Sequence, residues 1–500
     1  TGKRRLINVS LTSQGLISVS GGEMSDNFDV VVVGGGAGGL FAANVANALG
    51  AKVCLVEKKR LGGDCTWFGC VPSKALLRAA GAAATVQQCS RFGLGLGQGA
   101  TVSTDKVMGY VRDVVTAVSS HHPAELFEKR GIRVTFGSPC FRARDTLEVG
   151  GRALRGKRFI LCTGSRPLIP AVPGLSDIDY LTNENVFSLD RLPESMIVLG
   201  GGPIGVELSQ ALGRLGAKVS LVEMAERILF REDKDAAKVV EKRLVKEGVD
   251  LLLGKKAVMF ARRQRDVCVT VEDERGEKQQ ICAQRALLAV GRAPNAEGLG
   301  LEQAGVEYSP RGVKVNPYLQ TTNPNIFACG DIVGPYMFSH IAAYQAGICA
   351  RNASLRRLAW QKTNYDNVAW ATFSDPELSH LGLTEEEARQ RYGKIRVYKS
   401  DYTAADRAWT DGEKDGLAKI ITDKRGYLLG AHIVGAQAAE VIQGLLVAKS
   451  QRIPLSKIAS TLFIYPTFSE IIKKTAAYAL IEKMKNPLVK WIIGIMKAGR

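Results

Sequence analysis

Five hundred residues with 46% hydrophobic and 23% charged content are enough for several cores, and three or so domains are expected at roughly 150 residues each. No run of 18 apolar residues occurs, which excludes a transmembrane helix by length and leaves peripheral attachment open. The net charge of +18 suits polyanionic cofactors or an anionic membrane. No zinc-ligand spacing, aromatic RNP pattern or basic helix is present, so nucleic-acid binding is set aside and no metal ligands are assigned.

Along the chain, residues 1–26 read as an extension: the first 22 hold Lys3, Arg4, Arg5 and several serines but no acid, and the chain begins with Thr. That composition matches the remnant of an organelle transit peptide, or a truncated leader. The expected location is therefore intracellular, in a chloroplast or mitochondrion, membrane-associated or not, with the cytoplasm as the alternative. Ten cysteines are scattered, several in apolar runs such as Val53-Cys54-Leu55-Val56. They read as reduced core residues of an intracellular protein.

The first predicted strand, Asp29 to Val33, runs into Gly34, Gly36 and Gly39 in GxGxxG spacing, and a second apolar run ends at Glu57, 23 residues after the first glycine. The pattern recurs with Ser195 to Leu199, then Gly200, Gly202 and Gly205, then Glu223, again 23 residues on. Each unit reads as a βαβ dinucleotide site. The first glycine permits the tight turn, the second admits the pyrophosphate, and the third packs helix on strand. One GxGxxG is weak evidence; two with matched acids predict two bound dinucleotides.

Between them, residues 62–74 place Cys65 and Cys70 five apart, with Pro72 in the first turn of a predicted helix and Lys74 one turn on. N–H groups at that helix start face the Cys70 sulfur and stabilise a thiolate, and the loop through Gly69 returns Cys65 to within disulfide reach. The pair therefore reads as a redox-active dithiol, with two structural cysteines as the bland alternative. Glycines from 93 to 99, and charged runs at 262–265 and 273–277, read as surface loops or turns. After residue 364 the pattern turns to hairpin-like strands at 416–421 and 428–434 and helices near 437–450 and 468–483, a separate α+β domain.

These motifs, with Cys162-Thr163-Gly164-Ser165-Arg166-Pro167, Gly291-Arg292-Ala293-Pro294-Asn295, Cys329-Gly330-Asp331 and Pro466-Thr467-Phe468-Ser469-Glu470, resemble the FAD-dependent pyridine nucleotide-disulfide oxidoreductases. That family includes glutathione reductase, dihydrolipoamide dehydrogenase and mercuric reductase, and the mercuric-reductase-like branch resembles this chain most. The resemblance implies an α/β protein with two Rossmann-like domains, for FAD and NAD(P), and a C-terminal α+β dimerisation domain. The boundaries read are 27–193 and 291–363 for the two parts of the FAD domain, 194–290 for the NAD(P)H domain, 364–484 for dimerisation, and 485–500 for a tail.

By resemblance, Gly34, Gly36, Gly39 and Glu57 hold the ADP half of FAD, joined by Gly63, Gly164 and Gly330, while Asp331 bonds the ribityl chain. The helix after Asp331 points its positive end at the flavin pyrimidine. Lys74 sits near flavin N5 and pairs with Glu207, unless the two are an ordinary surface pair. Gly200, Gly202, Gly205, Glu223, Gly291 and Arg292 serve the nicotinamide dinucleotide. NADH is expected over NADPH, because Glu223 accepts from a 2′-hydroxyl but repels a 2′-phosphate. Met224 stands where phosphate-binding relatives carry arginine, and Arg227 is the only nearby cation.

One departure matters. Disulfide reductases of the family carry His-Pro-Thr, the histidine oriented by a glutamate five residues on, and reach across the dimer to protonate a leaving thiolate. Here the triplet is Tyr465-Pro466-Thr467; Glu470 is retained, and no histidine lies beyond 432. A phenol with a reference pKa of about 10 is a poor base, which argues against glutathione-like disulfides and dihydrolipoamide as substrates. Mercuric reductases carry tyrosine at this place, and a thiolate-bound soft metal needs no proton relay. They also carry paired C-terminal cysteines, whereas no cysteine follows Cys349 here. Tyr465 also reads as an interface packing residue.

The expectation is thus a homodimeric flavoenzyme passing electrons from NADH through FAD to Cys65/Cys70 and on to a small-molecule or soft-metal acceptor. Two rivals remain. One is a flavoprotein subunit of a larger, membrane-bound or soluble assembly, reached through the apolar, lysine-punctuated residues 486–500. The other is a diaphorase reducing acceptors directly at flavin. The more ordinary reading of the tail is a helix docked on its own domain.

Overall fold

The computed structural model describes residues 26–95, 101–485 and 487–498. The leader read over residues 1–26 lies outside them except for Asp26, as do 96–99 of the glycine-dense loop and Asn486.

The first sheet runs Arg133–Phe136, Val53–Glu57, Asp26–Val33, Arg152–Leu161, Thr146–Val149, Pro139–Ala143, and Ile326–Ala328 adds to the C-terminal half of Arg152–Leu161. Val30 to Val33 are all buried, the continuous apolar run of a strand covered on both faces. Each such valine contributes about 1.5–3 kcal/mol by burial. The pairing of Ile326–Ala328 with Phe159–Leu161 returns the second part of the FAD domain to the first.

The second sheet is wholly parallel, in the order Asp250–Leu253, Lys218–Glu223, Ser195–Leu199, Arg285–Leu288, Tyr180–Leu181. Tyr180–Leu181 was expected in the FAD domain, within 27–193. Its apolar Leu181 instead joins the second domain's core with Met196 and Val198, so that domain borrows a strand from before its expected start. An antiparallel layer of Lys256–Arg263, Asp266–Glu272 and Lys278–Ala283 covers one side. Here the expectation of ten reduced cysteines fails. Cys268 and Cys282 are cross-strand partners and form a disulfide, because directly opposed residues bring their Cβ atoms within bonding reach.

The C-terminal domain is a five-stranded antiparallel sheet, Ala369–Thr372, Glu377–Gly382, Leu428–Gly435, Leu417–Thr422, Arg396–Asp401, with the Gln443–Ser450 and Glu470–Met484 helices packed into its core. Beyond it, Pro487–Ala498 forms a helix whose Trp491, Ile495 and Met496 are exposed, so those side chains are not docked on their own domain. No described helix is long and apolar enough to cross a membrane.

Candidate active site

The two glycine loops are near copies in geometry. Gly34 and Gly200 have φ of +108° and +104°, and a Cβ on either would meet a backbone carbonyl, that of Cys162 or Ala289, at 2.4 Å. A Cβ on Gly39 would fall 1.7 Å from the Gly34 oxygen, and one on Gly205 1.8 Å from the Gly200 oxygen. Only glycine allows these turns to close so tightly. The Ala37–Ala48 and Pro203–Arg214 helices begin at Gly36 and Gly202 with no side-chain cap, leaving first-turn N–H groups for an anion. Glu57 accepts from the Gly35 N–H at 2.7 Å, and Glu223 from Gly201 at 2.6 Å. Each acid is thereby held at the loop it serves.

Both loops open on one cleft of about 2950 Å³, whose wall also includes Gly63, Cys65, Cys70, Lys74, Gly164, Glu207, Gly291, Arg292, Gly330 and Asp331. Gly62 and Gly63 take φ of +105° and +61°, and a Cβ on Gly63 would lie 2.5 Å from the Gly36 Cα. Thus the dithiol segment and the first glycine loop touch. Cys65 lies in the short Gly63–Trp67 helix and Cys70 begins the Cys70–Gln87 helix. Both are thiols.

The Cys65 thiol hydrogen-bonds Cys70 and, with Lys74 one turn along, pulls the Cys70 thiol down to about 6 against the opposing effect of burial. The proton stays on Cys65, which the same contact and burial push up. Ser339 Oγ lies 3.8 Å from Cys70 Sγ and opens the Ser339–Ser354 helix, so that helix N-terminus faces the thiolate. Cys70 is exposed to the cleft and Cys65 half-buried. In a single chain Cys70 is therefore the more exposed of the two sulfurs.

Lys74 Nζ donates to Glu207 Oε2 at 2.8 Å, and Glu207, buried, also accepts from the Phe373 N–H at 2.8 Å. The pair is thus an internal link between three segments, not the surface pair considered as the alternative. Asp331 accepts from Ser165 Oγ at 2.6 Å; Arg292 donates to the same oxygen at 2.7 Å and reaches Asp64 at 3.2 Å. Burial raises the Asp331 carboxyl above its usual range. Ser165, Asp64 and Asn183, which donates to Asp64 at 3.1 Å, carried no sequence signal beyond lying in or near motifs. Nor did the contact of 3.3 Å between the buried Cys162 and Cys329 sulfurs.

Beside the second loop, Arg227 donates to the carbonyls of Leu229, Phe230 and Glu232. It is not the only nearby cation: Arg231, Lys234, Lys255 and Lys256 also line the cleft. Lys255 pairs with Asp273 at 2.9 Å. Tyr465 and Glu470 do not line the cleft of their own chain. Tyr465 is 66% exposed and donates to Asp406 at 3.1 Å, while the buried Glu470 Oε2 has no hydrogen-bond partner among the described residues. The tyrosine is thus held by Asp406, and the carboxylate of Asp406 raises the phenol above its ordinary value.

A family model described as pyridine nucleotide-disulphide oxidoreductase matches residues 28–347, and the dimerisation domain of the same family matches 368–476. The chain belongs to this family. It is 32% identical to a mercuric reductase of Bacillus cereus, over 89% of this chain and 70% of that one. It is 34% identical to a dihydrolipoyl dehydrogenase of Thermus scotoductus, over 90% of this chain and 96% of that one. Among solved structures, the Cu(II) complex of the HOCl-induced flavoprotein disulfide reductase RclA from Escherichia coli superposes with TM-score 0.81 at 26% identity, covering 91% of this chain and 99% of that one.

As a pyridine nucleotide-disulphide oxidoreductase the chain is an FAD-dependent enzyme with NAD(P)H as electron donor, and its dimerisation domain points to a homodimer. The residues fit FAD: at Gly36, where a Cβ would meet nothing nearer than 3.6 Å, the uncapped helix start leaves room for a pyrophosphate, and Glu57 and Asp331 line the same cleft. When bound, FAD takes two electrons from the nicotinamide and passes them to a disulfide.

Proposed function

We propose that this oxidoreductase uses NADH to keep Cys65 and Cys70 reduced, and that the dithiol reduces a soft metal ion or another small acceptor needing no proton from the protein. The observation that carries this is position 465: a tyrosine, tied to Asp406, stands where disulfide reductases place their histidine. In this reading Cys70 is the thiolate facing the flavin, with Lys74 stabilising its charge and Glu207 holding Lys74. Cys65 is the sulfur that meets the acceptor. Two electrons and the one remaining thiol proton, on Cys65, leave the pair as the disulfide closes; Hg(II), for instance, takes both electrons and the proton goes to solvent. NADH is favoured because Glu223, held at the second loop by the Gly201 N–H, would repel a 2′-phosphate, and the Arg227 donors are already engaged on three carbonyls.

Steady-state assays with NADH and either Hg(II), Cu(II), oxidised glutathione or lipoamide test the reading. Turnover with a metal ion that is lost in Cys65→Ser is expected, and disulfide turnover should be about 10² to 10⁴ lower than with a positioned base. Tyr465→His should raise the disulfide rate. Efficient lipoamide turnover by the wild type would overturn the proposal.

A second contact is supported by the terminal helix. Exposed Trp491, Ile495 and Met496 lie among Lys483, Lys485, Lys490 and Lys497, a composition suited to the interface of an anionic membrane.

A further inference from the structure

Away from the dithiol, three buried side chains meet where the nicotinamide-dinucleotide domain abuts the C-terminal sheet. Glu232, at 3% exposure, precedes the Lys234–Lys246 helix. His380 at 2% and His432 at 0% are direct partners across the Glu377–Gly382 and Leu428–Gly435 strands. One carboxylate oxygen and one nitrogen from each ring all lie within 4.8 Å of one another.

The hydrogen bonds around these groups leave one donor atom of each turned to the others. His380 Nε2 engages the Gly382 carbonyl at 2.7 Å, and His432 Nε2 the Leu383 carbonyl at 3.1 Å. Trp370 Nε1 donates to Glu232 Oε1 at 2.6 Å, and its ring stacks on His380 at 3.7 Å between centroids. What remains is Glu232 Oε2 with His380 Nδ1, 2.9 Å apart, and His432 Nδ1, which has no partner among the described residues. A buried nitrogen without a partner is destabilising, and an ion or water there relieves that cost. Imidazoles whose second nitrogen is fixed on a backbone carbonyl are the usual arrangement around a bound metal.

We propose that Glu232, His380 and His432 form a binding site for a zinc-class divalent cation that fastens the nicotinamide-dinucleotide domain to the dimerisation domain. Two imidazole nitrogens and one carboxylate oxygen suit Zn(II), with water in the fourth position. Bonds of about 2.0–2.1 Å hold tetrahedral ligand atoms roughly 3.3 Å apart, so an ion draws together donor atoms that now lie within 4.8 Å of one another. His380 gives up its Nδ1 proton to solvent as the ion enters.

The nearby buried Lys419 does not oppose the cation with a net charge, since it pairs with Asp233 and Asp235 at 2.8 Å and Glu385 at 3.1 Å. Glu232, His380, Gly382 and Leu383 line the main cleft, which supplies an entry path.

The test uses FAD-loaded, chelator-stripped Cys65→Ser/Cys70→Ser protein titrated with Co(II) as a spectroscopic stand-in for zinc. About one Co(II) per chain is expected, with visible d–d bands and no near-ultraviolet thiolate charge-transfer band. Glu232→Gln and His380→Gln, made in the same background, should each weaken it by at least about tenfold. Absence of the bands, a thiolate band, or equal affinity in Glu232→Gln would overturn the site. Should a variant lose its flavin, thermal unfolding of the unsubstituted background decides. Zn(II) should raise its midpoint by several degrees, and an unchanged midpoint contradicts the proposal.

Discussion

At Cys70 the three largest influences on one sulfur can be separated. Burial opposes ionisation; the Cys65 thiol and the Lys74 ammonium favour it and prevail, setting the group at about 6. Because this lies below the ordinary thiol value, the thiolate is present above about pH 6 and is lost as the pH falls through it. Removing the ammonium should move that midpoint upward. In Lys74→Met the pH at which the reduced enzyme loses its thiolate-dependent long-wavelength absorption should rise by about one pH unit. An unchanged midpoint would leave Lys74 no electrostatic part. Lys74 was legible as a residue one turn from Cys70. Its partner's second bond, from the Phe373 N–H to Glu207, was not, because it joins residues 166 positions apart that share no motif.

Among the elements, the two glycine loops were readable since each packing constraint acts within a few residues, and the same spacing produced the same close approaches at Gly39 and Gly205. They should fail separately. Gly205→Ala should weaken NADH binding at least tenfold while flavin absorbance persists, and Gly39→Ala should yield protein depleted of flavin. Equal loss of both ligands in both variants would refute independent sites. What composition could not show was pairing between distant elements: Tyr180–Leu181 joining the second sheet, and Cys268 facing Cys282. Register decides those contacts. Likewise Glu232, His380 and His432 are 148 and 52 positions apart in sequence, and only the meeting of helix start and sheet unites them.

For the whole molecule, one cleft joins two dinucleotide loops to a dithiol, while the dimerisation domain carries Tyr465 outward on a surface with exposed Leu462 and Ile464. The terminal helix lies beyond that domain. Full-length protein should sediment with anionic phospholipid vesicles and not with zwitterionic ones, and deletion of residues 486–500 should abolish this; equal pelleting of the truncated protein would remove the helix from the account. The central claim is that electrons pass through Cys65 and Cys70. Anaerobic titration of the FAD-loaded dimer with NADH tests it most directly. Uptake of about four electrons per FAD is expected, two for each of two couples, with long-wavelength absorption after the first two. Uptake of only two electrons without that absorption, unchanged in Cys65→Ser, would contradict it.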